Sequence, residues 1–107
     1  MEKSVYELRI YHANSGKIAK LIERFRDHTV DLFADHGMES IAYWIADDAP
    51  DDLIYVLKHS GDPKANWEKF RSDERWISVK ANSETDGVLV GSIDSRYMTP
   101  TDFSRIQ

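Results

Sequence analysis

The hydrophobic period of this chain switches from about two residues to about 3.6 and back, twice, and that order restricts the fold more than any single motif. Between Val5 and Tyr11 the residues alternate as a strand requires, with Tyr6, Leu8 and Ile10 on one side and Glu7, Arg9 and Tyr11 on the other. Asn14-Ser15-Gly16 offers a cap, after which Ile18, Leu21, Ile22, Phe25, Thr29, Leu32, Phe33 and His36 keep helical spacing. Gly37 supplies the left-handed position that ends a helix, and His36 in the last turn suits the negative end of the macrodipole. Met38 to Ala46 and Leu53 to His59 are rich in aromatic and β-branched residues, with DDAPDD between them as a polar turn, so they predict a hairpin. Asp62-Pro63 reads as an N-cap and first helical residue, which brings Trp67 and Phe70 to one face. Ser72-Asp73 breaks this helix and restarts it with Trp76 and Val79. Asp86-Gly87 turns the chain into a last strand, Val88 to Tyr97, in which Gly91 interrupts the alternation, and Thr99 to Gln107 forms a tail.

The order βαββαβ predicts one ferredoxin-like α+β sandwich over residues 1–107, with a core of about 4–98 and both helical regions on one face of an antiparallel sheet. Right-handed crossovers place the first and third strands side by side in the middle. The apolar runs occupy both parities of each strand, so the face away from the helices is expected to carry Tyr11, Trp44 and some of Tyr43, Tyr55, Leu57 and Val90. Such a face needs a cover. Two-fold homodimers are the commonest soluble oligomers, and a second copy packed sheet to sheet, closing a barrel, is the expected one.

Composition narrows the partners. The net charge of -5 repels phosphate backbones and anionic lipid, which argues against nucleic acid and membrane as partners. The absence of cysteine removes disulfides, thiolate nucleophiles and cysteine-bound zinc. The opening MEKSVYELRIY has no apolar run resembling a signal peptide, and the expected location is cytoplasmic. No nucleotide or phosphate loop motif occurs, so no cofactor is expected.

Leu21, Phe25, His28, Leu32 and His36 recur at spacings of one helical face, so His28 is expected to point inward. Two roles fit an imidazole there: a core histidine bonded to a backbone carbonyl, or the acid/base group of a small-molecule pocket. Tyr6, Phe25, Trp67, Phe70 and Trp76 either fill the core or line that pocket. Arg9 and Arg96 fall on neighbouring strands, where an inward guanidinium would grip a substrate carboxylate or else pair with Glu7 or Asp94. His28 and His36 are two turns apart, too far to chelate one ion by themselves, and no metal is expected.

YELRIY at 6–11, RFRDHTVDLFADHGM at 24–38 followed by Tyr43 and Trp44, WEKFRSDERW at 67–76 and SRYMTPTDFS at 95–104 together resemble the NIPSNAP family over nearly the whole chain. The resemblance implies the dimeric α/β-barrel superfamily, whose members include cofactor-free monooxygenases, haem-degrading enzymes, isomerases and stress proteins. Two functions follow as expectations. In one, His28 moves a proton on a small apolar or aromatic substrate held by Tyr6, Arg9, Phe25, Trp67, Trp76 and Arg96, in an oxygenase-like or isomerase-like reaction without a cofactor. In the other, the chain is a noncatalytic homodimeric module that binds a ligand or a protein, and His28 is structural. Phe103 in the proline-stiffened tail is expected to anchor on the other subunit.

Overall fold

The computed structural model describes residues 4–107; Met1 to Lys3, the start of the segment read above as lacking a leader, lie outside the described residues. The strands are β1 (Val5–Ala13), β2 (Met38–Ala46), β3 (Ala49–His59) and β4 (Val90–Met98). The helices are α1 (Ile18–Arg24), α2 (Val30–Asp35), α3 (Pro63–Ser72) and α4 (Glu74–Ser83), and a π-helical turn, Phe25–Thr29, joins α1 to α2. The strands form one antiparallel sheet in the order β2-β3-β1-β4, which is the ferredoxin-like arrangement.

Local chemistry sets the boundaries. Gly37, with φ of 76°, takes the left-handed position after α2, which only glycine adopts without strain. The β2–β3 turn is tighter than the run of aspartates suggested and closes at Asp47-Asp48, because pairing resumes at Ala46 with Ala49. The next β2 pair is Ile45 with Leu53, so Pro50, Asp51 and Asp52 bulge past β2, and the proline's missing N–H costs no ladder bond there. Asp62 caps α3 by accepting from the Lys64 N–H at 3.2 Å.

Asp73 separates α3 from α4 and caps the latter, accepting from the Arg75 N–H at 2.9 Å. Its carboxylate also receives the Arg75 guanidinium and His36 Nε2, the latter at 2.8 Å, and these hydrogen bonds hold its carboxyl well below the usual range. One side chain thus ties the end of the first helical region to the second. Asp73→Ala is expected to lower stability through the lost cap, measured as a fall in the urea midpoint at unchanged slope.

The core lies between the helices and the sheet and is built from rings. Phe33 is fully buried and packs against Phe25, Tyr55, Trp67 and Phe70 at centroid distances of 4.9–5.9 Å. Tyr11, Tyr43, Tyr55, Leu57 and Val90 all belong to this side, which corrects the expectation that they cover the opposite face. The inversion begins in β1, where Glu7, Arg9 and Tyr11 turn toward the helices and Tyr6, Leu8 and Ile10 turn away. Alternation fixes which residues share a face but not which face is buried, and an inward acid and base that neutralise each other remove the usual penalty.

The far face is still apolar. Register places Leu8, Ile10, Ile54, Val56 and Trp44 side by side there, with Trp44 52% exposed. The tail covers one end of it: the Tyr6 hydroxyl donates to the Gln107 carbonyl at 2.5 Å. Phe103 is 85% exposed.

Candidate functional site

A polar cluster sits inside the core where β1 and β3 meet α3. Glu7 is 1% exposed and accepts four hydrogen bonds. His59 Nε2 and Trp67 Nε1 donate to Oε1 at 2.8 and 2.7 Å, while Arg9 Nη1 and the Ser95 hydroxyl donate to Oε2 at 2.9 and 2.5 Å. Asn66 Nδ2 donates to the Ser60 carbonyl and to His59 Nδ1, which leaves the His59 proton on Nε2, facing Glu7. Arg9 continues the network: Nε donates to the Tyr55 hydroxyl at 2.8 Å, Nη2 to the Tyr11 hydroxyl at 3.1 Å, and the guanidinium lies 4.2 Å over the Trp67 ring. Burial alone would raise the Glu7 carboxyl, but the bonds from His59, Ser95, Trp67 and Arg9 outweigh it and bring it down to about 2. A carboxylate so fully satisfied has no lone pair left for a substrate proton. The cluster ties β1 to β3, β4 and α3, and within it Arg9 is paired with Glu7.

The helix that carries His28 changes phase at the π turn. The Val30 N–H reaches back to the Phe25 carbonyl, five residues away, which widens the turn. Arg24, Phe25 and Thr29 are buried in consequence, and His28 is exposed. The expected inward imidazole is thereby corrected: in the wider turn the inward position passes from residue 28 to residue 29. Thr29 supports the turn from within, its hydroxyl donating to the Arg24 carbonyl at 3.2 Å.

His28 instead lines a cavity of about 310 Å³ between the helices, bounded by Lys20, Glu23, Arg24 and Asp27 on one side and by Val79, Asn82, Ser83 and Thr85 on the other. The pocket is formed by helices and the loop after α4, not by the helix–sheet interior, which rings already fill. Arg24 is its innermost charged wall, 5% exposed, with Nη1 donating to the Ser83 hydroxyl at 3.1 Å and the guanidinium 5.0 Å over the Trp76 ring. Burial depresses the Arg24 guanidinium below its ordinary value, and the nearest carboxylate, Glu84 at 3.9 Å, offsets this only in part.

The predicted site residues divide among three places. Arg9, Phe25 and Trp67 meet inside the core; Trp76 is half-buried between Phe70 and Arg24; Tyr6 and the exposed Arg96 lie toward the opposite sheet face. His28 shares its cavity with none of these. Glu7, His59, Asn66, Ser95 and Arg24 were missed as site members. The signal for the first was the pair Glu7-x-Arg9 on a central strand, where opposite charges two residues apart share a face. Among the described residues there is no group of three or more histidine, aspartate or glutamate side chains that could hold a metal ion, and no helix is long and apolar enough to cross a membrane.

The NIPSNAP family model matches residues 6–105, all of the sheet and both helical regions. The chain belongs to the NIPSNAP family. Among solved structures, a NIPSNAP family protein with unknown function from Agrobacterium tumefaciens is 21% identical, with a TM-score of 0.82, covering 98% of this chain and 95% of that one. A second NIPSNAP family protein from the same organism is 24% identical with a TM-score of 0.79, covering 97% and 99%. An uncharacterised NIPSNAP domain protein from Burkholderia xenovorans is 14% identical with a TM-score of 0.74, covering 94% and 97%. At these identities the likeness is one of fold. No curated protein matches the chain.

Proposed function

We propose that this NIPSNAP protein is a homodimeric small-molecule-binding protein whose ligand occupies the cavity between the α1–α2 segment and α4. The observation that carries the reading is the π turn itself. It spends a regular helical turn to bury Arg24 and to set His28 at the wall of a cavity of about 310 Å³, a volume within the range of small-ligand pockets. The test is a titration with benzyl alcohol followed by amide resonances. Shifts confined to residues 20–28 and 79–85 are expected, and shifts scattered elsewhere sink the reading.

An acid/base role for His28 is the second reading, favoured by its place on the cavity wall. Because the side chain is exposed, His28→Ala is expected to change stability by less than about 0.5 kcal/mol in thermal melts. A loss of several kcal/mol would return the residue to a structural role.

The second copy covers the far sheet face. Leu8, Ile10, Ile54, Val56 and Trp44 form an apolar strip there, and a two-fold pairing sets that strip against its own copy. Phe103, exposed on the tail beside that face, is the residue placed to reach the partner. Light scattering is expected to give twice the chain mass of 12.4 kDa, and Val56→Glu, at the centre of the strip, is expected to give monomers. A wild-type monomer at micromolar concentration removes the dimer.

A further inference from the structure

Among the described residues the interior holds two buried arginines, Arg9 and Arg24, and one fully buried carboxylate, Glu7. Glu7 is saturated by its four donors, one of them Arg9, and has nothing left for Arg24. The Tyr11 and Tyr55 hydroxyls already accept from Arg9. Glu84 stands 3.9 Å from Arg24 Nη1, beyond hydrogen-bond reach, and its two oxygens are engaged by Lys80 at 2.9 Å and by the Leu89 N–H at 3.1 Å. Arg24 Nε is buried and finds no partner among the described residues. A guanidinium normally uses its five N–H groups, and leaving one buried and unpaired carries a real cost.

Arg24 lines the cavity. Nη1 is held by Ser83 and the ring face of Trp76 fixes the guanidinium plane, which leaves the edge bearing Nε and Nη2. That edge is a planar fork with the spacing of two carboxylate oxygens. Elsewhere on the wall Lys20 is paired with Asp86 at 2.6 Å, while Glu23 and Asp27 are exposed to solvent, so their charge is screened relative to that of the buried arginine. Val79 contributes apolar surface and Asn82 a further amide donor.

We infer that the ligand of this cavity is a small organic acid whose carboxylate accepts from Arg24, whose buried Nε has no hydrogen-bond partner among the described residues. The inference rests on the cavity reading above and adds the chemical class of the ligand. It also gives the π turn a purpose, since the wider turn brings residues 24 and 29, five apart, to one face, where a regular helix would bring 24 and 28.

Benzoate and benzyl alcohol, which differ in the carboxylate and not in the ring, separate the two claims. Both are titrated into the wild-type protein while the cavity amides and the Arg24 Nε–H resonance are followed. Benzoate is expected to bind about tenfold tighter than benzyl alcohol and to move the Arg24 Nε–H signal, which benzyl alcohol leaves in place. Arg24→Met, which keeps the stem and removes the buried charge, is expected to equalise the two affinities. Equal affinities in the wild-type protein, or an Arg24 Nε–H signal that stays fixed while benzoate moves the cavity amides, overturns the carboxylate assignment and leaves the cavity reading standing. Cavity amides that respond to neither probe overturn both. The wild-type titrations decide the matter even if the variant does not fold.

Discussion

Glu7→Leu is expected to destabilise the fold by about 3–5 kcal/mol, the cost of leaving a buried charge without its partner. The leucine strands Arg9 beneath Trp67 with only tyrosine hydroxyls to bond, and it leaves the His59 and Trp67 donors without their acceptor. Pairing the change with Arg9→Met removes the charge as well, and the double variant is expected to recover most of the loss, because well-packed apolar side chains often replace a buried ion pair at little cost. Urea unfolding of the two single variants and the double completes the cycle. A double variant no more stable than Glu7→Leu would mean that the hydrogen bonds from His59, Ser95 and Trp67, not the ion pair, hold the site together. The same carboxylate sets an acid limit. Its folded value lies at about 2, below the ordinary 4.5, so its stabilising contribution is complete above about pH 4.5 and is lost as pH falls toward 2. In the Glu7→Leu variant that part of the acid transition is expected to disappear from the stability–pH curve.

Phe33→Ala is the second large effect, expected at about 3–5 kcal/mol. Phe33 is fully buried and stands at the junction of α2, α3 and β3, stacked on Tyr55 at 5.9 Å and against Phe70 at 4.9 Å. None of these neighbours can collapse into the space left. Tyr55 is held by Arg9 through its hydroxyl, and Trp67 by Glu7 through its indole N–H. A domain of this size has a total stability of only about 5–15 kcal/mol, so the variant is expected to approach half-unfolding at growth temperature. Far-UV and near-UV circular dichroism on heating would show it, and a loss below about 1 kcal/mol would mean that the rings repack.

The architecture was legible because it depends on period and punctuation. Asp62-Pro63, Asp73 and Gly37 each sit where a helix must begin or end, and each does so in the structure, while Asp86-Gly87 lies in the turn and the last strand starts at Val90, two residues later than Val88. What could not be read was direction. Strand alternation put Glu7, Arg9 and Tyr11 together but is silent on which face meets the helices, and the usual preference for apolar residues inside chose the wrong one. Helical spacing failed at a single point. Residues 21, 25 and 32 were placed inward correctly, while 28 was not, because period counting assumes one turn width and the π turn departs from it. Arg24 was invisible for a related reason: an arginine beside a phenylalanine reads as the solvent side of a helix until the turn widens to admit both.

The widened turn also bears on how this chain is compared with others. Helices α1 and α2 are continuous in path, but the turn between them closes from the Val30 N–H to the Phe25 carbonyl, five residues back, so it holds one residue more than an α-helical turn. A relative that threads this segment as a plain helix superposes on it only across a one-residue gap placed near Asp27. Aligned without that gap, its cavity-facing side chain would be matched to the wrong neighbour, and shared chemistry at Arg24 would pass for divergence.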